Sequence, residues 1–552
     1  MKLTHSPFTW PFMAMYAEHT SRLHFFGRFS GALVATAIVA LGWLTLSVAS
    51  LWHGALLINI HSGDVLHLLD ILGRWSLGQR PHQDFMTPIG ALAFLPIWAL
   101  TSAGMSVGMA LICAQVILGA VIGSAALFIA LRRVDWPYAT GLALIAMVLT
   151  MALVDSDLTL AISMSLHYNR WAWALGLTAV FAACLPARNG EFADGLILGT
   201  IAISLLLIKA TYFAAFAPVV LLALCLTQQV RTLVTALVTA LGLAGLTTAA
   251  WGIGFWQAYL QDLLTVAFSE SRSAPGSSLQ AILIAPNYVA ATGLALAAVI
   301  LLRLNGLKTQ GLLVLLIIPA GAYVTYQNFG NDPLYIALLA LLLAVWLRDV
   351  PVTGPRLPLA AIAAALAMST GPSLINLASS PIRMAQLSAA DYVPLVIGSA
   401  QHRDLLVSRD AANNARHRVI LTEGFRSYYS HEPEPPLEFR GEVMRHCTSA
   451  VAASYYASIA ADLTERGLAQ NSAIFTADLI NPLWLYGPYL PVPNGAPWHY
   501  SGLPGLSRAD FVLVPTCPST LDVWQTILTE LDDQNVPLTE IVRTPVYRLY
   551  SR

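Results

Sequence analysis

The feature that most limits this chain is a succession of apolar segments, each about 20 residues long, filling the sequence from Gly31 to Ala378. A helix of that length crosses the ~30 Å hydrocarbon core of a bilayer, where only helices and closed barrels satisfy their own backbone groups. Charges enter this region in short clusters, whereas from Arg383 onward they recur every few residues. With 57% hydrophobic and 11% charged residues over 552 positions, against about 25% charged in globular proteins, the expected class is a polytopic α-helical membrane protein with a C-terminal extracytoplasmic α/β domain. We place the membrane domain at 1–380 and the soluble domain at 381–552. A formal net charge of -1 offers no basic surface to nucleic acid. Cys113, Cys184 and Cys225 fall in apolar runs; Cys447 and Cys517 lie in the soluble part, where an oxidising compartment would let them pair.

Segments long enough to span begin near residues 31, 107, 137, 171, 195, 210, 233, 287, 310, 332 and 357, about eleven in all. With the N-terminus (Lys2, Arg22, Arg28) in the cytoplasm, Arg132, Arg133, Arg188, Arg231, Arg303, Lys308, Arg348 and Arg356 all fall inside, as the positive-inside rule asks. Two conditions follow. Ile89–Ala103, at about 15 residues, must lie in the interface or re-enter without spanning. Gly195–Leu226 must break into two helices at Lys209, since a single tilted helix would invert everything after it. The first apolar stretch exceeds a signal-peptide core and lacks an A-x-A site, so it reads as an uncleaved first span. The outer loops are then 61–90, 155–170 and 257–287. The soluble part alternates short β-rich runs with two helical patterns, 449–466 and 521–533, which predicts a small α/β domain.

The outer loops hold the unusual polar residues. In HSGDVLHLLDILGRWSLGQRPHQDFMTPIG, residues 61–90, His67, Asp70 and Arg74 share one helical face opposite Leu66, Leu69 and Leu72. That pattern fits an amphipathic helix lying in the interface. Asp64 starts the helix, where a carboxylate favours the dipole, and Gly63 before it would permit a sharp turn. Asp64 is thus either a cap or a functional acid. His61, Asp64 and His67 recur at i, i+3, i+6, with His82 and Asp84 nearby; carboxylate and imidazole would suit Mn²⁺, Mg²⁺ or Zn²⁺, or be plain polar residues. The second loop offers Asp155 and Asp157, then His167–Arg170 before Trp171. Lys209, inside an apolar stretch, is expected to have a partner, either by binding an anion or by snorkelling to the interface.

Gly63-Asp64 followed by LGQRPHQDFMTPIG (residues 77–90) resembles the first-loop signature of the GT-C superfamily, the polyprenyl-phosphate-sugar transferases that include protein O-mannosyltransferases and lipid A aminoarabinose transferases. Asp155/Asp157 resembles the family's second acidic site, and LLLIKATYF (residues 205–213) a lysine-bearing segment of bacterial members. One departure is Val65, where many members carry Glu after the Asp. The resemblance implies an inverting glycosyltransferase of the bacterial inner membrane, with an extracytoplasmic acceptor. Asp64 would be the base that deprotonates the acceptor hydroxyl. Lys209, Arg170 and Arg272 would be candidates to meet the charge of the polyprenyl phosphate. Asp84, Asp155 and Asp157 would hold a divalent ion or orient the acceptor. The alternative class is a transporter or flippase of a lipid-linked or anionic substrate, which would show inverted repeats and interrupted helices; a third is a sensor whose outer domain binds a ligand.

Overall fold

Apolar runs become helices, some of them with proline inside (Pro218, Pro319, Pro372 and Pro381), and they dominate the computed structural model. It describes residues 11–155, 159–269, 280, 284–328, 333–351, 354–412, 438–444 and 452–552, with backbone only for 11–29, 286, 287, 452 and 453. The membrane part contains α1 (Pro11–Leu51), β1 (Leu56–Ile58), α2 (Ser62–Ser76), α3 (Leu95–Ser102), α4 (Val107–Leu131), α5 (Trp136–Met151) and α6 (His167–Cys184). It continues with α7 (Glu191–Ile208), α8 (Ala210–Leu226), α9 (Val230–Trp251), α10 (Ile253–Ala267), α11 (Pro286–Leu304), α12 (Lys308–Tyr326), α13 (Tyr335–Trp346) and α14 (Arg356–Ala385). Among the described residues, six helices are long and apolar enough to cross a membrane: Ser30–Leu51 of α1, then α4, α7, α9, α12 and α14. Segment 89–103 folds as a short 3₁₀ turn and the 8-residue α3, so it forms no helix of crossing length.

The direction of each helix follows from which residues touch. Glycines on α7 let α9 approach closely, and the pairs run in step: Gly195 meets Thr232 and Thr235, while Gly199 meets Ala236 and Thr239. α7 and α9 therefore rise together. The end of α8 joins the start of α9 through residues 227–229 alone, so α8 must descend between them. The chain reverses at Lys209, whose backbone is extended at φ -158, ψ 108. α8 accordingly runs beside α6, with Trp173 against Tyr212 and Gly176 against Phe216. Contacts of Gly31 with Trp136 and Gly42 with Met147 set α1 parallel to α5; Gly119 with Met151 and Gly123 with Met147 set α4 antiparallel to it.

These directions leave the two ends of the bundle chemically distinct. At one end Arg132 and Arg133 pair with Asp194, and Arg188 and Arg348 with Asp135. The other end carries α2, α3, α10 and the C-terminal part. That part begins where α14 stops, at Ala385, five residues past the boundary drawn from charge density. β2 (Tyr392–Pro394) and β3 (Leu405–Ser408) form a sheet of order β1-β3-β2, so the strand following the first helix pairs in parallel with the start of the C-terminal part. Beyond it lie β4 (Glu438–Phe439), β5 (Glu442–Val443), α15 (Ala452–Glu465), β6 (Ile474–Thr476), β7 (Phe511–Pro515), α16 (Leu521–Asp533), β8 (Thr539–Arg543) and β9 (Tyr547–Ser551). Four of these make a mixed sheet of order β6-β7-β9-β8, covered by the apolar face of α16. Cys517 is disulfide-bonded, whereas Cys447, the partner expected for it, lies outside the described residues.

Candidate active site

The two polar loops after α1 and α5 are laced together before any functional side chain is placed. Asn59 N donates to Ile162 O at 2.9 Å, and Ile162 N to Asn59 Oδ1 at 3.2 Å. Ser163 N donates to Leu153 O at 2.9 Å, closing the second loop on itself. Arg170, buried in the first turn of α6, holds that loop from below: its guanidinium donates to Val154 O, to Ser165 O at 3.0 Å and to Ala152 O at 3.1 Å. Arg170 is not among the residues that line the cavity beside Asp64.

The turn that starts α2 lies at His61, with φ 61 in the left-handed region, not at Gly63. Gly63 has no left-handed φ and open space where a β-carbon would stand, so the sharp turn expected there is one residue pair earlier. His61 Nδ1 lies 3.1 Å from Ser163 Oγ and 3.8 Å from Asp155 Oδ2. One turn on, Asp64 hydrogen-bonds Ser165, with His61 and Asp155 in electrostatic range. Burial raises the Asp64 carboxyl above the ordinary carboxylate range; the Ser165 bond and His61 pull it back, and Asp155 pushes it further up.

The same cavity is lined by Lys209. Its Nζ donates to Asn169 Oδ1 at 2.9 Å and to Asn328 Oδ1, and lies 5.6 Å from the centre of the Tyr168 ring. Asn328 is fixed in turn by its Nδ2 bond to the Tyr212 hydroxyl, at 2.9 Å. The amides reach it from the start of α6 and the end of α12, so three helix ends converge on one ammonium group. Asp64, Asp155 and Lys209 line a single cavity of about 760 Å³, together with His61, His67, Tyr168, Tyr323 and Tyr326. Two further lining residues, Trp498 and Tyr500, belong to the C-terminal part.

Other residues singled out in the sequence lie elsewhere. Asp84 Oδ2 accepts from Arg80 N at 2.7 Å and so closes its own turn, outside the cavity. Asp157 and Arg272 lie outside the described residues. His67 is buried, with its ring 5.3 Å from that of Trp498, and burial holds its pKa down to about 4. The i, i+3, i+6 set does not gather as ligands: among the described residues no group of three or more His, Cys, Asp or Glu is placed to hold a metal ion.

The face of α2 expected to lie in water is instead covered. Asp70 and Arg74 are 1% and 0% exposed and pair with each other. Trp484 Nε1 donates to Asp70 Oδ2 at 2.7 Å, and Arg74 Nη1 donates to Val492 O at 2.7 Å. The polar stripe is an attachment for the C-terminal part, which single-helix periodicity cannot distinguish from a solvated stripe. Sequence reasoning also passed over Asp262 on α10, whose Oδ2 accepts from Thr87 N at 3.1 Å and lies 2.9 Å from His82 Nδ1. An acid within the apolar pattern YLQDLL was its only signal.

No protein-family profile and no curated protein matches the sequence. Among solved structures, the chain is similar to the crystal structure of ArnT from Cupriavidus metallidurans bound to undecaprenyl phosphate, at 10% sequence identity and a TM-score of 0.40, over 94% of this chain and 97% of that one.

Proposed function

We propose that this chain is a membrane glycosyltransferase that moves a sugar from a polyprenyl-phosphate donor to the hydroxyl of an extracytoplasmic acceptor, with inversion at the anomeric carbon. The observation that carries this reading is that Asp64 and Lys209 line one and the same cavity, to which the C-terminal part also contributes. The chemistry needs those two groups and a space between them. Asp64 takes the proton of the acceptor hydroxyl as its oxygen bonds to the anomeric carbon. The bond from that carbon to the phosphate oxygen breaks, and the electron pair leaves on a polyprenyl phosphate whose charge Lys209 meets. The raised pKa of Asp64 suits a base, because a carboxylate held above its usual range takes a proton more readily. No step is assigned to a metal ion; a divalent cation such as Mg²⁺ or Mn²⁺ is a separate proposal, tested by transfer with and without chelator.

The orientation belongs to the same proposal. The end holding Arg132, Arg133, Arg188 and Arg348 would face the cytoplasm and the cavity the outer, periplasmic side of a bacterial cell membrane. A transporter or flippase would want ionisable groups near mid-depth. In the crossing helices from Ser30 onward, every Asp, Glu, Lys and Arg lies in a first or last turn.

The test is transfer by purified protein with a panel of polyprenyl-phosphate hexoses and pentoses. Asp64→Asn keeps size and most hydrogen bonds while removing basicity, so it should bind donor yet lose about 10²–10⁴-fold in transfer. Normal transfer by Asp64→Asn, with Asp155→Asn inactive, would assign the base to Asp155.

A further inference from the structure

We infer that Trp498 of the C-terminal domain is the stacking wall for a sugar ring in this cavity, an assignment that rests on the glycosyltransferase reading. The domain is not an appendage at this point. Residues 492–500 are bound to the membrane part on two sides: Arg74 donates to Val492 O, Met86 N donates to Gly495 O at 3.1 Å, and Asn494 N donates to Asp84 O at 3.0 Å. On the far side Ser269, just beyond α10, donates to Tyr500 O. These bonds suspend Trp498 and Tyr500 over the cavity, between α2 and α10.

The cavity is thereby two-sided. Asp64 and Asp155 stand on the membrane side, and an indole and a phenol on the domain side. Neutral His67 packs on the Trp498 ring at an interplanar angle of 57° and fixes the plane of the indole. A pyranose or furanose ring matches that division, with carbon-bound hydrogens against the aromatic face and hydroxyls toward the carboxylates. A polyprenyl chain does not match it, because it would bury two carboxylates against hydrocarbon. The ring that stacks belongs either to the donor sugar or to a glycan acceptor.

Binding and transfer by the full-length protein separate these sources. The probes are the polyprenyl-phosphate sugar that the wild type transfers and bare polyprenyl phosphate. If the donor sugar stacks, Trp498→Ala weakens binding of the sugar-bearing lipid roughly 3- to 10-fold and leaves the bare lipid unchanged, whereas Lys209→Met weakens both. If the acceptor sugar stacks, both lipid affinities hold and the acceptor KM rises by a similar factor. Trp498→Phe, which keeps an aromatic face, retains most of the wild-type value in either case and controls for misfolding. Wild-type values for Trp498→Ala in all three measurements would overturn the assignment while leaving the function standing. A wild type that binds neither lipid and transfers nothing would overturn both.

Discussion

Asp64 is tuned by three named neighbours, Ser165, His61 and Asp155, and its protonation can be moved through two of them. As a base it must be ionised, so transfer should fall as pH drops through a pKa above the ordinary carboxylate range. Asp155→Asn removes a like charge and should move that acid limb to lower pH; His61→Gln removes a group that favours the ionised form and should move it higher. Normalised pH–rate profiles of the two variants check this, and limbs that shift together or not at all would mean another group titrates. Lys209 supports a companion measurement. Lys209→Met should weaken bare polyprenyl-phosphate binding more than Lys209→Arg, which keeps the charge; equal affinities would leave the lysine as a structural link between Asn169 and Asn328. Both residues were legible because each breaks a local pattern, Asp64 as an acid at a helix start and Lys209 as a charge in an apolar run. Trp498 was not, since nothing in GAPWHYSG says that those residues sit over a cavity built by helices hundreds of positions earlier.

Elements, rather than single residues, hold the lysine where it is. The loop TPIG ends on Gly90, where a β-carbon would lie 2.1 Å from the Leu207 carbonyl oxygen and 2.4 Å from its carbon. Gly90 N also donates to Ile208 O at 3.0 Å, satisfying a carbonyl that the end of α7 leaves open. Any side chain here must push the C-terminus of α7, and Lys209 follows it directly. Gly90→Ala should therefore cost about 1–3 kcal/mol of stability, as overpacking does, and weaken donor binding as well. Gly63→Ala, where the space is open, should do neither; thermal unfolding and donor affinity of the pair check both statements. The break at Lys209 was readable because Gly195–Leu226 is too long for one crossing. The role of α2 was not, because its polar face is decided by Arg74 reaching Val492, 418 positions away. An amphipathic pattern reports that a face is polar, not what covers it.

At the scale of the whole molecule, the placement of basic residues and the placement of the cavity are one fact seen from two ends. Helices that rise from the Arg132–Asp194 end finish at the end of the bundle that holds the cavity: α7 at Lys209, α12 beside Asn328, and α14 at Met384, whose carbonyl lies 3.1 Å from His53 Nε2 after α1. The C-terminal part follows α14 and so lies on the cavity side, with β3 paired to β1 just beyond α1. The positive-inside rule counts Lys and Arg in short loops near helix ends; Arg132, Arg133 and Arg188 lie in such loops at the far end, and Arg231 in the first turn of α9. Aspartates at that end, such as Asp135 and Asp194, contribute little to the rule even though they pair with the arginines. The disulfide at Cys517 fits the same assignment, since such bonds persist in oxidising compartments. A reporter fused after Arg552 should therefore read the extracytoplasmic side, and one inserted beside Arg133 the cytoplasm. Exchanged signals would turn the cavity to the cytoplasm and require a donor presented there. Signals from the same side would contradict the reversal of the chain at Lys209, because without it α8 continues α7 and every later helix changes direction.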